Sequence, residues 1–220
     1  MKAVVYDEYT PNNDFKKILK LKDIEHPKPK PNEVIIKINT AALNYNDIWG
    51  MSGNPVPVPL PHISGSEASG EVTELGDAVT HLKVGDRVAV HCNISCRICI
   101  ECIEGREYNC ESRYVWGYQT GPLWGGFSEF THIPEINAVK IPDNVSFEQA
   151  SASMTLPTAW HMLIGRAKIQ PGQIVLIMGG SSGVGHYGIQ IAKLLGCTVI
   201  ATASPEKLDK LLQLGADYAV

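Results

Sequence analysis

The chain has 220 residues, 44% hydrophobic and 19% charged, with 19 Lys and Arg against 23 Asp and Glu for a net charge of −4. Such a chain is globular, not disordered, and long enough to fold without disulfide staples; it lacks the basic surplus that phosphate backbones select, so nucleic acid is not an expected partner. No apolar run approaches the roughly 18 residues of a membrane span, and Met1–Asp7 meets an acid too early for a signal peptide, so no membrane partner and a cytoplasmic location are expected.

In chain order, the first 130 or so residues read as short strands cut by Gly and Pro. Val34–Ile38 is an apolar run after Pro31. Ser69–Leu75 alternates and ends on the turn pair Gly76-Asp77. Gly85-Asp86 turns again into Arg87–Val90. This texture predicts a barrel or sandwich. Prolines 55, 57, 59 and 61 predict a stiff extended loop. Ser146 with Gln149 is a helix-start pair, and Phe147–Ala167 has helical character around Pro157. From Gln173 the pattern becomes α/β: a buried strand at Ile174–Met178, a helix at Gly183–Leu195 closed by Gly196, a strand at Thr198–Thr202, a helix at Pro205–Leu214, and a third strand from Tyr218. Strand-helix-strand-helix-strand is one mononucleotide-binding half of a doubly wound fold. Three parallel strands leave bare edges, so the chain is expected to be part of a longer one.

Strand 174–178 runs into Gly179-Gly180-Ser181-Ser182-Gly183-Val184-Gly185 and then a helix. Such a turn aims backbone N–H groups and a helix N-terminus at phosphate. Gly180 and Gly185 match G-x-G-x-x-G, with Ser182 at the middle glycine and Gly183 beside it. A purely structural glycine turn is the competing reading. An acid at the end of the second strand would hold a ribose 2′-hydroxyl and repel a 2′-phosphate. Ala203 stands there instead, while Ser204 and Lys207 can reach a phosphate, so NADPH is expected over NADH. Lys207 reads equally as an ordinary surface residue.

Cys96, Cys99, Cys102 and Cys110 form a C-x2-C-x2-C-x7-C array. Four thiolates this close suit a closed tetrahedral zinc site, structural because it keeps no open position. An iron–sulfur cluster is the competitor, although no proline follows Cys110. Cys92 and Cys197 read as ordinary buried thiols.

Together these features resemble the medium-chain dehydrogenase/reductase superfamily, the zinc alcohol dehydrogenases and their quinone-reductase relatives. Val84-Gly85-Asp86-Arg87-Val88, the four cysteines, Gly126-Phe127-Ser128-Glu129-Phe130 and Gly183-Val184-Gly185 each match a family segment. The resemblance implies a GroES-like β-barrel catalytic domain at 1–135, with a structural zinc lobe at about 92–112. A Rossmann domain follows at 136–220, with only its first half present. It also implies a homodimer or homotetramer. The family's three catalytic-zinc ligands are replaced here by Asn44, Ser66 and Met154, while Asp47 and Glu67 remain. Asn44-Tyr45-Asn46-Asp47 is similar to the N-[FY]-x-D motif of quinone oxidoreductases, and Pro157-Thr158-Ala159-Trp160 to their L-T-A-[WY]. Those enzymes typically lack the cysteine lobe, so this chain resembles a mixed subgroup.

The resemblance therefore implies NADPH-dependent hydride transfer to a quinone, enone or enoyl thioester. Asn44 and Tyr45 would be donors at the acceptor oxygen, Asp47 and Glu67 would orient their neighbours, and Thr158 would approach the nicotinamide. Gly180, Ser181, Ser182, Gly183, Val184, Gly185, Ser204 and Lys207 would hold the cofactor. The alternatives are a zinc alcohol dehydrogenase with unusual ligands and a non-catalytic NADPH-binding protein. Trp116, Tyr118 and Trp124 read as cleft lining or as simple packing.

Overall fold

The structure is a computed structural model that describes residues 1–10, 12 and 14–220. It divides into two compact units, Met1–Ser153 and Met154–Val220. The first runs β1 (Lys2–Val5), α1 (Phe15–Ile18), β2 (Lys20–Asp23), β3 (Glu33–Ala42), α2 (Tyr45–Ser52), β4 (Glu67–Leu75), β5 (Arg87–Val90), β6 (Asn93–Ile94), α3 (Ile100–Ile103), β7 (Tyr114–Val115), β8 (Phe130–Pro134), β9 (Ala138–Lys140) and α4 (Phe147–Ala150).

A five-stranded antiparallel sheet, ordered β8-β3-β4-β5-β9, is the frame of this unit. It is the curled half-barrel expected of a GroES-like domain. Val34, Ile35 and Ile36 are all buried, which is why they read as an unbroken apolar run and not as an alternation. Val72 and Ile133, paired with Ile36 and Val34 across the sheet, are buried with them, as are Val88 and Val90 of β5. The turns at Gly76-Asp77 and Gly85-Asp86 fall where the sequence puts them; Gly85 has φ +90°, and Asp86 Oδ2 accepts from the Lys83 amide at 2.9 Å. The register pairs Ala42 with Glu67, so the end of β3 delivers Asn44 to the start of β4.

Helix α4 belongs with this sheet. The Ser69 hydroxyl donates to the Phe147 carbonyl at 2.6 Å, and the Arg87 guanidinium lies 4.7 Å above the Phe147 ring. The helical character expected over 147–167 is broken after Ala150 and resumes at Thr155.

The second unit runs α5 (Thr155–Trp160), a π-helical turn (His161–Arg166), β10 (Ile174–Ile177), α6 (Gly183–Leu194), β11 (Thr198–Ala201), a 3-10 turn (Pro205–Lys207), α7 (Leu208–Gln213) and β12 (Tyr218–Ala219). Its three strands are parallel, in the order β10-β11-β12. Ile189 and Ala192 of α6 and Leu211 of α7 pack on Val199 and Ala201 to form its core. Within residues 1–220, Val175 and Ile177 of β10 pack against the core, while Ile174 and Leu176 face away from it. The helix expected over 205–214 begins as the 3-10 turn, because Pro205 and the Ser204 carbonyl tighten its first residues: the Lys207 amide bonds back to Ser204 at 2.9 Å. Among the described residues no helix is long and apolar enough to cross a membrane.

Candidate functional site

In the first unit a buried polar cluster gathers at the N-terminus of α2. Asp47 is 1% exposed, and its carboxylate accepts the Asn44 amide at 2.7 Å and the Gly65 amide at 2.9 Å. One oxygen caps the helix and the other ties it to the loop before β4. Burial raises the Asp47 carboxyl to about 6, against the pull of those two amides and with the help of the nearby Glu67 charge. The Asn44 side-chain amide donates to Glu67 Oε2 at 2.6 Å, and the Asn46 amide donates to Ser66 Oγ at 2.9 Å. Burial pushes the Cys92 thiol up to about 12, with Glu67 adding to the shift, so Cys92 is a buried neutral thiol.

The cluster rests on a crossing of glycines. Gly65 has φ +101°, and its carbonyl accepts from the Gly126 amide at 2.8 Å. A Cβ on Gly117 would stand 2.0 Å from the Gly65 carbonyl oxygen, and one on Gly126 would stand 2.9 Å from it. Three stretches of backbone therefore meet directly behind Ser66 and Glu67.

The structure thus brings Asn44, Asp47, Ser66 and Glu67 together. Tyr45 stands apart: it is 70% exposed, with its ring edge-on to Trp49 at 5.5 Å. Trp116 is fully buried, and Trp124 stacks on His132 at 4.6 Å, so packing is what both rings do here. The Asn46–Ser66 contact escaped the sequence reading. The only available hint is that Asn46 shares the first turn of α2 with Asp47.

In the second unit the glycine turn joins β10 to α6. The Gly180 amide donates to the Thr202 carbonyl at 2.8 Å, and the Gly179 amide to the Thr202 hydroxyl at 3.1 Å, so the turn is fastened to the end of β11. Ser182 caps α6: its hydroxyl accepts the Gly185 amide at 3.1 Å. A Cβ on Gly185 would fall 2.3 Å from the Gly179 carbonyl, so the helix approaches the turn closely. The Gly183 and Val184 amides, in the first turn of α6, have no acceptor within the helix and point the positive end of its dipole outward. The arrangement fits a pyrophosphate. Ser181, Ser182 and Gly183 are exposed around it, and Gly180 is buried beneath. Thr158, on α5, is exposed, and its hydroxyl donates to the Met154 carbonyl at 2.7 Å. Ser204 and Lys207 follow β11 and are exposed.

The four cysteines converge in the first unit. Their Sγ atoms lie within 4.8 Å of one another, with Cys96 at 3.9 Å from Cys102 and 3.6 Å from Cys110. A tetrahedron of sulfurs at zinc bond length has edges of about 3.8 Å, so the quartet fits zinc. The Ile98 and Cys99 amides hold the Cys96 thiol down to about 6, which favours the thiolate. Among the described residues this is the one group of three or more His, Cys, Asp or Glu side chains placed to hold a metal ion.

Comparison with known proteins bears on both units. The family described as "Alcohol dehydrogenase GroES-like domain" matches residues 30–143, and "Zinc-binding dehydrogenase" matches 183–220. An alcohol dehydrogenase of Geobacillus stearothermophilus is 37% identical over 223 aligned residues, covering 100% of this chain and 63% of the relative. A crotonyl-CoA carboxylase/reductase of Cereibacter sphaeroides is 36% identical over 208 residues, covering 90% of this chain and 48% of the relative. Among solved structures, an NAD-dependent alcohol dehydrogenase matches 100% of this chain and 63% of its own length, with 38% identity and a TM-score of 0.92. The chain therefore spans less than two thirds of the length of these relatives.

Proposed function

This chain belongs to the medium-chain dehydrogenase/reductase superfamily, and on that premise we propose that it serves an NADPH-dependent oxidoreductase that reduces an activated C=C bond or a quinone without a catalytic zinc. One observation carries the reading. Two of the positions where zinc alcohol dehydrogenases bind catalytic metal hold Asn44 and Ser66, and both are engaged in hydrogen bonds, Asn44 in a half-buried one with Glu67 and Ser66 in a buried one with Asn46. An amide and a hydroxyl make poor zinc ligands at neutral pH, and Met154, at the third position, is a soft thioether that does not compensate. Without a Lewis acid there is nothing to stabilise an alkoxide, so acceptors that take hydride by conjugate addition suit the site better.

When bound, a reduced nicotinamide supplies the hydride. The chain's own residues hold the cofactor through the turn at 180–185, with Lys207, and Ser204 once its hydroxyl leaves Glu206, favouring the 2′-phosphate, and with Thr158 beside the nicotinamide. Asn44 and Tyr45 are the donors assigned to the acceptor oxygen, where negative charge develops. Asp47 positions Asn44 by holding its backbone amide. The protein acts in the cytoplasm as a homodimer or homotetramer.

The test uses the full-length protein. Zinc is counted by elemental analysis, and NADPH oxidation is followed with quinones, enones and enoyl thioesters, alongside NADP⁺ reduction with alcohols. One zinc per chain with turnover on the first panel supports the reading. Two zincs with turnover on alcohols would replace it with a zinc alcohol dehydrogenase using unusual ligands. NADPH binding without turnover on either panel would leave a non-catalytic NADPH-binding protein.

A further inference from the structure

The end of β11 carries a contact that bears on which cofactor the second unit selects. The Ser204 hydroxyl donates to Glu206 Oε1 at 2.6 Å. The 3-10 turn that starts at Pro205 brings the two side chains together: the Lys207 amide bonds back to the Ser204 carbonyl at 2.9 Å, and within that turn Glu206 reaches back to its neighbour. Ser204, Glu206 and Lys207 are all exposed. Two residues earlier, Thr202 is fastened to the glycine turn through Gly179 and Gly180. The donor that recommends a 2′-phosphate is therefore already engaged by a carboxylate. The Ser204 hydrogen bond also holds the Glu206 carboxyl below its ordinary range, so it is ionised at neutral pH.

NADH and NADPH differ only in the 2′ group of the adenosine ribose. A carboxylate beside that group accepts from a hydroxyl and repels a phosphate carrying nearly two negative charges. Ala203 occupies the position where such an acid is ordinarily sought, so Glu206 is invisible to that rule. We infer that Glu206 is a specificity-determining residue that counter-selects the 2′-phosphate, and that Ser204 becomes a phosphate donor only when Glu206 turns away. Lys207 pulls in the other direction, and the preference for NADPH is the balance of the two. The inference rests on the reading that the turn at 179–185 binds a dinucleotide.

A double-mutant cycle tests it. NADPH and NADH are titrated into the full-length protein and into E206A, E206Q, S204A and S204A/E206A, with binding followed by nicotinamide fluorescence. E206A is expected to raise the NADPH-to-NADH affinity ratio by about tenfold, the effect of one carboxylate on a near-dianion a few ångströms away in water. E206Q, which loses the charge but keeps the acceptor, should fall between. S204A should change NADPH affinity less than about twofold in the wild-type background and about fivefold in the E206A background, because only there is the hydroxyl free. A ratio that moves less than about twofold in E206A overturns the inference, as does an S204A effect equal in both backgrounds. If neither nucleotide binds any variant, the dinucleotide reading itself falls and takes the inference with it.

Discussion

Replacing Asp47 with Asn isolates the electrostatics of the α2 cluster. The carboxyl is buried and raised from 3.8 to about 6, with desolvation the leading cause. A folded value above the unfolded one means the native state binds the extra proton. The group's contribution to stability is then fully present below the unfolded value and is lost as pH rises through about 6. A rise of about two units at about 1.4 kcal/mol each gives a total near 3 kcal/mol, of which about 2 kcal/mol develops between pH 7 and pH 4. Asn carries no such dependence. It also offers one acceptor where Asp47 serves two amides, a pH-independent loss of about 1–3 kcal/mol. Urea unfolding of both proteins across that range, taken as a difference, cancels every other titrating group. The stability gap between wild type and variant should widen by about 2 kcal/mol on acidification. A flat difference would refute the reasoning. A gap that narrows would show that the amides of Asn44 and Gly65 outweigh burial.

Three further outcomes are expected. Cys96→Ser should remove the one zinc per chain measured by elemental analysis, with a fall in thermal stability that added zinc does not restore; two-zinc wild-type protein would contradict the assignment of a single quartet. Gly185→Ala places a methyl 2.3 Å from the Gly179 carbonyl, which backbone must yield to, and should weaken nucleotide binding by at least about tenfold, or 1.4 kcal/mol, while the zinc content stays unchanged. Tyr45→Phe should lower turnover several-fold with KM nearly constant, and unchanged turnover would remove Tyr45 from the mechanism. The hydroxyl of this exposed side chain contributes little to folding, so stability should be the same within about 0.5 kcal/mol.

What the sequence discloses is local. The alternation at 69–75, the turns at Gly76 and Gly85, the cysteine spacing and the glycine turn each lie within fifteen residues, and each has a physical signature at that range. The polar cluster at the start of α2 is assembled otherwise. Asn44 meets Glu67 because β3 and β4 pair Ala42 with Glu67, and two register shifts along that ladder set where Asn44 arrives. No periodicity in either strand encodes those shifts. Glu206 is the opposite case. It is only two residues from Ser204, yet its role depends on a side-chain conformation set by a 3-10 turn where the sequence suggests an uninterrupted helix.

Gly65, Gly117 and Gly126 limit how this site can change over evolutionary time. Where they cross, a single added methyl has no room at Gly117 or Gly126, and Gly65 holds a left-handed conformation that side chains rarely adopt. The backbone carrying Ser66 and Glu67 is therefore held close against its neighbours and has little room to shift. Divergence has to be written in side chains, at 44, 46 and 66, on a scaffold that does not shift beneath them. The same limit divides engineering libraries: those that vary these three side chains leave the backbone in place, and those that vary the three glycines must displace it.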